Sequence, residues 1–267
     1  RPSKPYAIVD VLTTDVLVLT PDTVPLPGGI VTTDFTALPS GLSAFTSFSQ
    51  MLIRACKDYL QIDPTELRIG LQPFSSSSGI SQRIFIADVL ENGSGYVKLI
   101  GDDATLKTIM MDIVTRTGAR LTSSVDHPQC DSSCPSCLRS YENRRVHHLL
   151  NWRLGLDLAE LFSGVPLDVN RWLPRSSLLI DDFINAFDAS HQFVKVQLSN
   201  GLCAIGKSDN SIAVLMGHPL WRHDQHLWTT EQAIGQSELL SRGFREVVVS
   251  DLYVLEAKPF EVWAMFK

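Results

Sequence analysis

The sequence predicts a mixed α+β to α/β chain in two parts, a larger mixed domain over 1–164 and a smaller α/β domain over 165–267. Three observations predict it. Short runs rich in Val, Ile, Leu and Thr alternate with stretches whose apolar residues recur at helical spacing. Gly, Pro and Asn separate these runs as turns. Composition changes after Gly164, where 165–177 (VPLDVNRWLPRSS) reads as a connector.

The elements follow in order. Residues 7–19 read as one or two strands, and 20–41, with four prolines and Gly28-Gly29, as a loop or short hairpin. Residues 42–60 are apolar at 42, 45, 48, 52, 56 and 59/60, which is helical spacing. Ser40 or Ser43 is placed to cap that helix, and Cys56 falls on its buried face as a small core hydrophobe. Residues 74–79 (FSSSSG) read as a surface loop, 83–90 as a strand, 91–96 as a tight glycine turn and 104–116 as a helix. A long helix is expected over 144–162, with Asn143 as its N-cap and apolar positions 146, 149, 150, 154, 158, 161 and 162 on one face. Beyond 165, a helix is expected near 177–188, strands at 192–199 and 211–216, a helix at 230–242 ended by Gly243, and strands at 245–250 and 261–266.

Bulk properties exclude several classes. The 267 residues are 44% hydrophobic and carry a formal charge of -6, so the chain is not a strongly basic DNA-binding domain and any nucleic-acid contact must be local. No apolar run reaches the roughly 18–20 residues that span a bilayer. The opening Arg1-Pro-Ser-Lys is not followed by the apolar core of a signal peptide, and the missing initiator Met fits one piece of a longer polypeptide. Five cysteines, an odd number in a chain of this size, argue against a disulfide framework and for a reducing cytoplasm.

Three of those cysteines, Cys130, Cys134 and Cys137, lie within eight residues at C-x3-C-x2-C spacing. A C-x2-C pair turns two thiolates onto one tetrahedral ion, and structural zinc takes four Cys or His ligands. The fourth position falls to a nearby histidine, in the order of preference His147, His127, His148. Other readings stay open at this stage: an Fe–S cluster, a catalytic zinc with Glu142 as base, or metal-free thiols. Arg139, Arg144, Arg145 and Arg153 surround the segment, either balancing its thiolates or contacting phosphates.

The string from Cys130 to Phe162 resembles the zinc-binding domain of unknown function 1998, the MrfA-type domain at the C-terminal side of superfamily 2 DEAD/DEAH helicases, including those of anti-phage defence systems such as DISARM and Druantia. Thr14–Leu17 resembles that family's opening strand. The helix 42–60 followed by Ile62–Leu67, and Ile84–Asp88 followed by Gly93–Tyr96, are similar to its next parts. The resemblance covers roughly 10–162. Many members supply a fourth Cys where this chain has Tyr141-Glu142-Asn143; a subset has N-x3-H-x2-L, which maps the ligand onto His147.

The resemblance implies an accessory portion that is not catalytic by itself. Structural Zn²⁺ belongs to this chain; ATP and Mg²⁺ belong only to upstream helicase motor domains. It further implies DNA, those motor domains and a defence-system protein as partners, and no membrane.

Two further patterns need weighing. Gly201–Ser208 (GLCAIGKS) matches the phosphate-binding loop G-x4-G-K-[ST] letter for letter. That loop must open a helix, yet Asp209-Asn210 followed by Ile212–Met216 reads as a turn and a strand, so a β-hairpin is expected instead. Asp251 with Glu256-Ala-Lys258 imitates a nuclease D…E-x-K, which would make the second domain a degenerate nuclease-like fold. The interval is too short unless another acid such as Asp224 serves. His218–His226 is expected as an exposed contact loop, with its His residues and Asp224 a weak metal candidate.

Overall fold

In a computed structural model, residues 11–20, 39–63, 65–76, 79–127, 130–187 and 192–267 are described. The expectations for 7–10 and for most of 20–41 lie outside these residues.

The first sheet is antiparallel, in the order β1-β3-β2. Its strands are β1 (Val16–Leu19), β2 (Leu67–Ser76) and β3 (Gly79–Asp88). The β2–β3 pairs run from Leu67↔Asp88 out to Ser76↔Gly79, so Phe74–Ser76 and Gly79, expected in a surface loop, belong to paired strands. Gly70 and Pro73 disguise β2 in the sequence. Gly70 is required because a Cβ there would lie 2.5 Å from the Phe85 ring that covers it.

Helix α1 (Gly41–Leu60) covers this sheet and buries Phe45, Phe48, Leu52 and Cys56. Ser40 sits at its N-cap position without capping; its hydroxyl donates to the Pro219 carbonyl. The turn after β3 uses left-handed backbone at Asn92, Gly93 and Gly95 and leads into α2 (Tyr96–Ile100). Asp88, buried, accepts the Ser94 and Gly95 amides at 2.8 and 2.9 Å, which fixes that turn. Next come α3 (Asp103–Asp112), one π turn (Ile113–Thr117) and α4 (Gly118–Thr122).

The expected helix over 144–162 is broken. Arg144–Leu149 form a 3-10 turn, and α5 runs only from Trp152 to Phe162. Asn151 is the true N-cap, its side chain accepting the Arg153 and Leu154 amides. The break has a cause in α1. Ser43 donates to the Leu149 carbonyl and Ser47 accepts the Asn151 amide at 2.8 Å, so α1 takes the groups a continuous helix would need. Asn143 does not cap; it accepts the Ser140 amide and donates to Gln50 and to the Leu138 carbonyl. Helices α1 and α5 touch closely, since a Cβ at Gly155 would lie 3.0 Å from the Ser47 backbone.

After a short 3-10 turn (Val169–Trp172), α6 (Leu173–Phe187) leads to the second sheet, in the order β4-β5-β6-β7. Strands β4 (Phe193–Gln197), β5 (Cys203–Lys207) and β6 (Ile212–Gly217) are antiparallel, while β7 (Glu246–Asp251) lies parallel to β6 after the crossover helix α7 (Thr230–Ser241). Both faces of this sheet are buried. Ile205, Val214 and Met216 face the larger core, whereas Ala204, Ala213 and Leu215 join Trp221, Leu239 and Phe244 on the other side. Burial on both faces explains the unbroken apolar run of β6.

The chain ends in α8 (Leu252–Ala257) and α9 (Pro259–Ala264), not in the strand expected at 261–266. Pro259 at the first helical position was the signal that outweighed the apolar pattern.

The larger core continues on both sides of Gly164, from Phe48, Leu52 and Leu158 to Trp172, Ile180, Leu252 and Phe266. A buried polar network crosses the same boundary. Asp157 on α5 accepts hydrogen bonds from Arg171 and from the Trp172 indole (2.8 Å), and Arg171 also pairs with Glu160. Burial works against the Arg171 charge but is outweighed by Asp157 and Glu160, so its guanidinium holds its proton more tightly than usual.

Candidate metal centre

The knuckle is shaped by its own backbone. The Cys134 carbonyl accepts the amides of Cys137, Leu138 and Arg139 at 3.0–3.1 Å, closing the C-x2-C turn. The Cys134 amide points at Cys137 Sγ, 3.0 Å away. Trp152, first residue of α5, donates its indole N–H to the Cys130 carbonyl at 3.0 Å, and its amide to the Ser132 carbonyl at 2.8 Å. The knuckle is therefore fastened to the start of α5.

Four donor atoms, from His127, Cys130, Cys134 and Cys137, lie within 4.8 Å of one another. Cys134 Sγ is 3.4 Å from His127 Nε2 and 3.6 Å from Cys137 Sγ, and Cys130 Sγ is 3.9 Å from Cys137 Sγ. A tetrahedral zinc with Zn–S of about 2.3 Å and Zn–N of about 2.0–2.1 Å places its sulfurs about 3.8 Å apart and its S and N about 3.5 Å apart. The donor set fits that ion.

The histidine is set for the role. His127 is buried, and its Nδ1 lies 3.1 Å from the Leu121 carbonyl at the end of α4. A carbonyl only accepts, so Nδ1 carries the proton and Nε2 presents a lone pair to the sulfurs. Trp152 packs edge-on against the same ring, centroids 5.5 Å apart.

With protein groups alone, burial pushes the Cys130 and Cys137 thiols up. At Cys134 burial is outweighed by its hydrogen bonds with His127 and the neighbouring thiols, and its pKa falls to about 6. Three thiols crowded in this way hold their charge together only with a cation among them.

His147, first in the sequence-based order, is not in this cluster. Its Nε2 is engaged by the Ser140 carbonyl (3.0 Å) and Asn143 Oδ1 (2.9 Å). His148 is exposed and also outside it. The continuous helix that would have carried His147 towards the knuckle is the one that breaks at Leu150. His127 had one signal in the sequence, its place three residues before Cys130.

The four arginines divide. Arg139, Arg144 and Arg145 are exposed; Arg139 Nε donates to Ser133 Oγ at 2.9 Å, and Arg144 lies over the Tyr141 ring at 4.3 Å. Arg153 is turned inward over Trp152 and donates to the Asp131 carbonyl at 2.6 Å.

The other candidates do not assemble. Asp251 is fully buried, caps α8 through the Tyr253 and Val254 amides, and lies 3.0 Å from His223. Glu256 pairs with Arg175, and Lys258 with Glu261 at 2.9 Å. Asp224 pairs with Arg222 at 2.7 Å. The expected contact loop is exposed only over Asp224–His226: His218, Leu220 and Trp221 are buried. Among the described residues, His127 with the three cysteines is the one group placed to hold a metal. The phosphate-loop lookalike is a strand hairpin, with Gly201 left-handed at φ 86° in the turn and Lys207 at the end of β5.

Residues 48–138 match the MrfA Zn-binding domain family. This MrfA-type segment contains all four members of the cluster and ends before His147. The chain is 25% identical over 181 residues to Druantia protein DruE of Escherichia coli (strain UMEA 4076-1), covering 62% of this chain and 9% of that protein. A crystal structure of the DUF1998 helicase MrfA bound to DNA shares 18% identity over 45% of this chain and 14% of its own, with a TM-score of 0.32. The chain thus spans a small fraction of both relatives. No helix among the described residues is long and apolar enough to cross a membrane.

Proposed function

We propose that this chain is the zinc-stapled accessory portion of an ATP-dependent superfamily 2 DNA helicase of anti-phage defence or DNA repair, acting in the cytoplasm. The observation that carries it is the coincidence of the MrfA-type match over 48–138 with a His/Cys3 donor set of tetrahedral dimensions inside it. In this reading Cys130, Cys134, Cys137 and His127 hold one Zn²⁺, and the ion supplies structure: it draws the end of α4 and the knuckle together beside the start of α5. Residues 1–164 form the zinc-binding part and 165–267 an α/β part docked on it through the Asp157 network. ATP and Mg²⁺ act in motor domains on which this portion packs, and its exposed arginines help position the DNA backbone. Defence-protein partners follow from the likeness to a Druantia protein.

The test is elemental analysis and assay of the purified chain. One zinc per chain, no ATP hydrolysis by this chain alone and salt-sensitive DNA binding are expected; iron in place of zinc would overturn the centre. Mg²⁺-dependent plasmid nicking lost in Glu256→Ala would overturn the accessory role in favour of a nuclease.

A further inference from the structure

A cleft of about 330 Å³ lies beside the knuckle, between α1 and the α3–π–α4 segment, and its far wall includes Cys137. Three arginines line it: Arg54 from α1, Arg116 from the π turn and Arg120 from α4. The π turn helps bring two of them together. Steps of four residues drift about 40° around a regular helix. A wider π turn takes back part of that drift, so Asp112, Arg116 and Arg120 stay on one face.

Arg54 and Arg120 are drawn to the same oxygen. Arg120 Nη1 donates to the Ser136 carbonyl at 3.0 Å; Arg54 Nη1 donates to the Cys137 carbonyl at 2.7 Å and lies 3.5 Å from the Ser136 carbonyl. Each uses one amino group on the backbone and keeps other N–H donors. Among the described residues neither has a carboxylate within ion-pair distance, whereas Arg116 is held bidentately by Asp112 at 2.8 and 2.9 Å. Asp58 is the other acid lining the cleft, which leaves one net positive charge among these five groups. Two adjacent guanidiniums with no carboxylate in ion-pair contact repel each other, and that repulsion is relieved by an anion between them. A carboxylate is satisfied by one guanidinium fork; several forks converging on one space suit an anion with more oxygens, a phosphate.

We propose that this cleft is a phosphate site that takes the sugar-phosphate backbone of a nucleic-acid strand, with Arg54 and Arg120 as its contacts and Arg116 at its rim. It rests on the nucleic-acid reading above and adds a place for the strand on the side of the knuckle formed by α1 and α4.

The experiment is fluorescence anisotropy of a short labelled DNA single strand with the purified chain at graded salt. The variants are Arg54→Gln/Arg120→Gln and, because Arg54 also braces the knuckle, the separate rim variant Arg116→Glu. Zinc content and melting temperature are measured on each. Loss of one phosphate contact lowers the slope of log K against log salt by about 0.7, so the double variant is expected to lose about 1.4 and to bind several-fold more weakly. Arg116→Glu is expected to weaken binding with unchanged zinc and melting. Inorganic phosphate at fixed ionic strength is expected to displace the strand better than acetate does. Wild-type binding with unchanged affinity and slope in folded variants, or equal displacement by acetate, overturns the phosphate site and leaves the accessory role standing. If the double variant does not fold, Arg116→Glu alone decides on the same criteria. Failure of the wild-type chain to bind any strand overturns both readings.

Discussion

His127 Nε2 lies 3.4 Å from Cys134 Sγ, while its Nδ1 is held by the Leu121 carbonyl. That relationship places His127, and not His147, beside the three thiols. His127→Ala is expected to lower bound zinc well below one per chain and to speed its transfer to a colorimetric chelator. His147→Ala, which removes only the bonds to Ser140 and Asn143, is expected to keep one zinc. Retention by the first and loss by the second would reverse the assignment.

Removing the metal tests what the centre supports. The knuckle holds the start of α5 through Trp152, and α5 is part of the larger core. Cys134→Ser or strong chelation is expected to cost several kcal/mol, which at roughly 2–4 °C per kcal/mol lowers the melting temperature by about 10 °C. Hydrogen exchange should show the loss of protection concentrated over 123–155. Protection that fades uniformly along the chain would mean that the ion is not a local staple.

The limits of the sequence are visible in the same residues. The C-x3-C-x2-C spacing named the three cysteines that the fold brings together because a tight turn needs no distant partner. His147 ranks first only while the helix carrying it is read as continuous; the break leaves it outside the cluster, and only the Ser43 and Ser47 hydroxyls of α1 reveal why the helix breaks. Helix 42–60 was legible from its apolar spacing, and β6 from its unbroken apolar run. Strand β2 was not, since Gly70 makes room for Phe85, a tertiary contact with no local signature. The buried state of Asp251 and His218 was equally hidden: polar residues near a loop read as solvent-facing until the partner that satisfies them is known.

Asp157 is a fully buried carboxylate with several polar neighbours. It faces Arg171, the Trp172 indole and His218, whose Nε2 is 3.2 Å away. His218 Nδ1 accepts the Leu220 amide, so the ring proton sits on Nε2 and faces the carboxylate. Asp157→Ala leaves the buried Arg171 guanidinium with Glu160 alone and the Trp172 N–H without its acceptor, and is expected to cost about 3–5 kcal/mol. Asp157→Asn, which keeps an acceptor, should cost less. Chemical denaturation of both variants checks this; equal, small losses would show that the network is dispensable.

The G-x4-G-K-S stretch offers a sharp contrast between two explanations of one glycine. In a phosphate loop, Lys207 is the group that matters and its replacement abolishes nucleotide binding. In the hairpin seen here, Gly206 matters, because a Cβ on it would lie 2.5 Å from the Phe244 ring that seals the second core cluster. Gly206→Ala is therefore expected to destabilise the chain by about 1–3 kcal/mol through overpacking. Lys207→Ala should stay within about 0.5 kcal/mol of wild type, since its side chain is half-exposed. Neither the wild-type chain nor either variant is expected to bind ATP in calorimetry, because β5 runs straight into a turn and not into a helix. Saturable ATP binding that disappears in Lys207→Ala would restore the phosphate-loop reading.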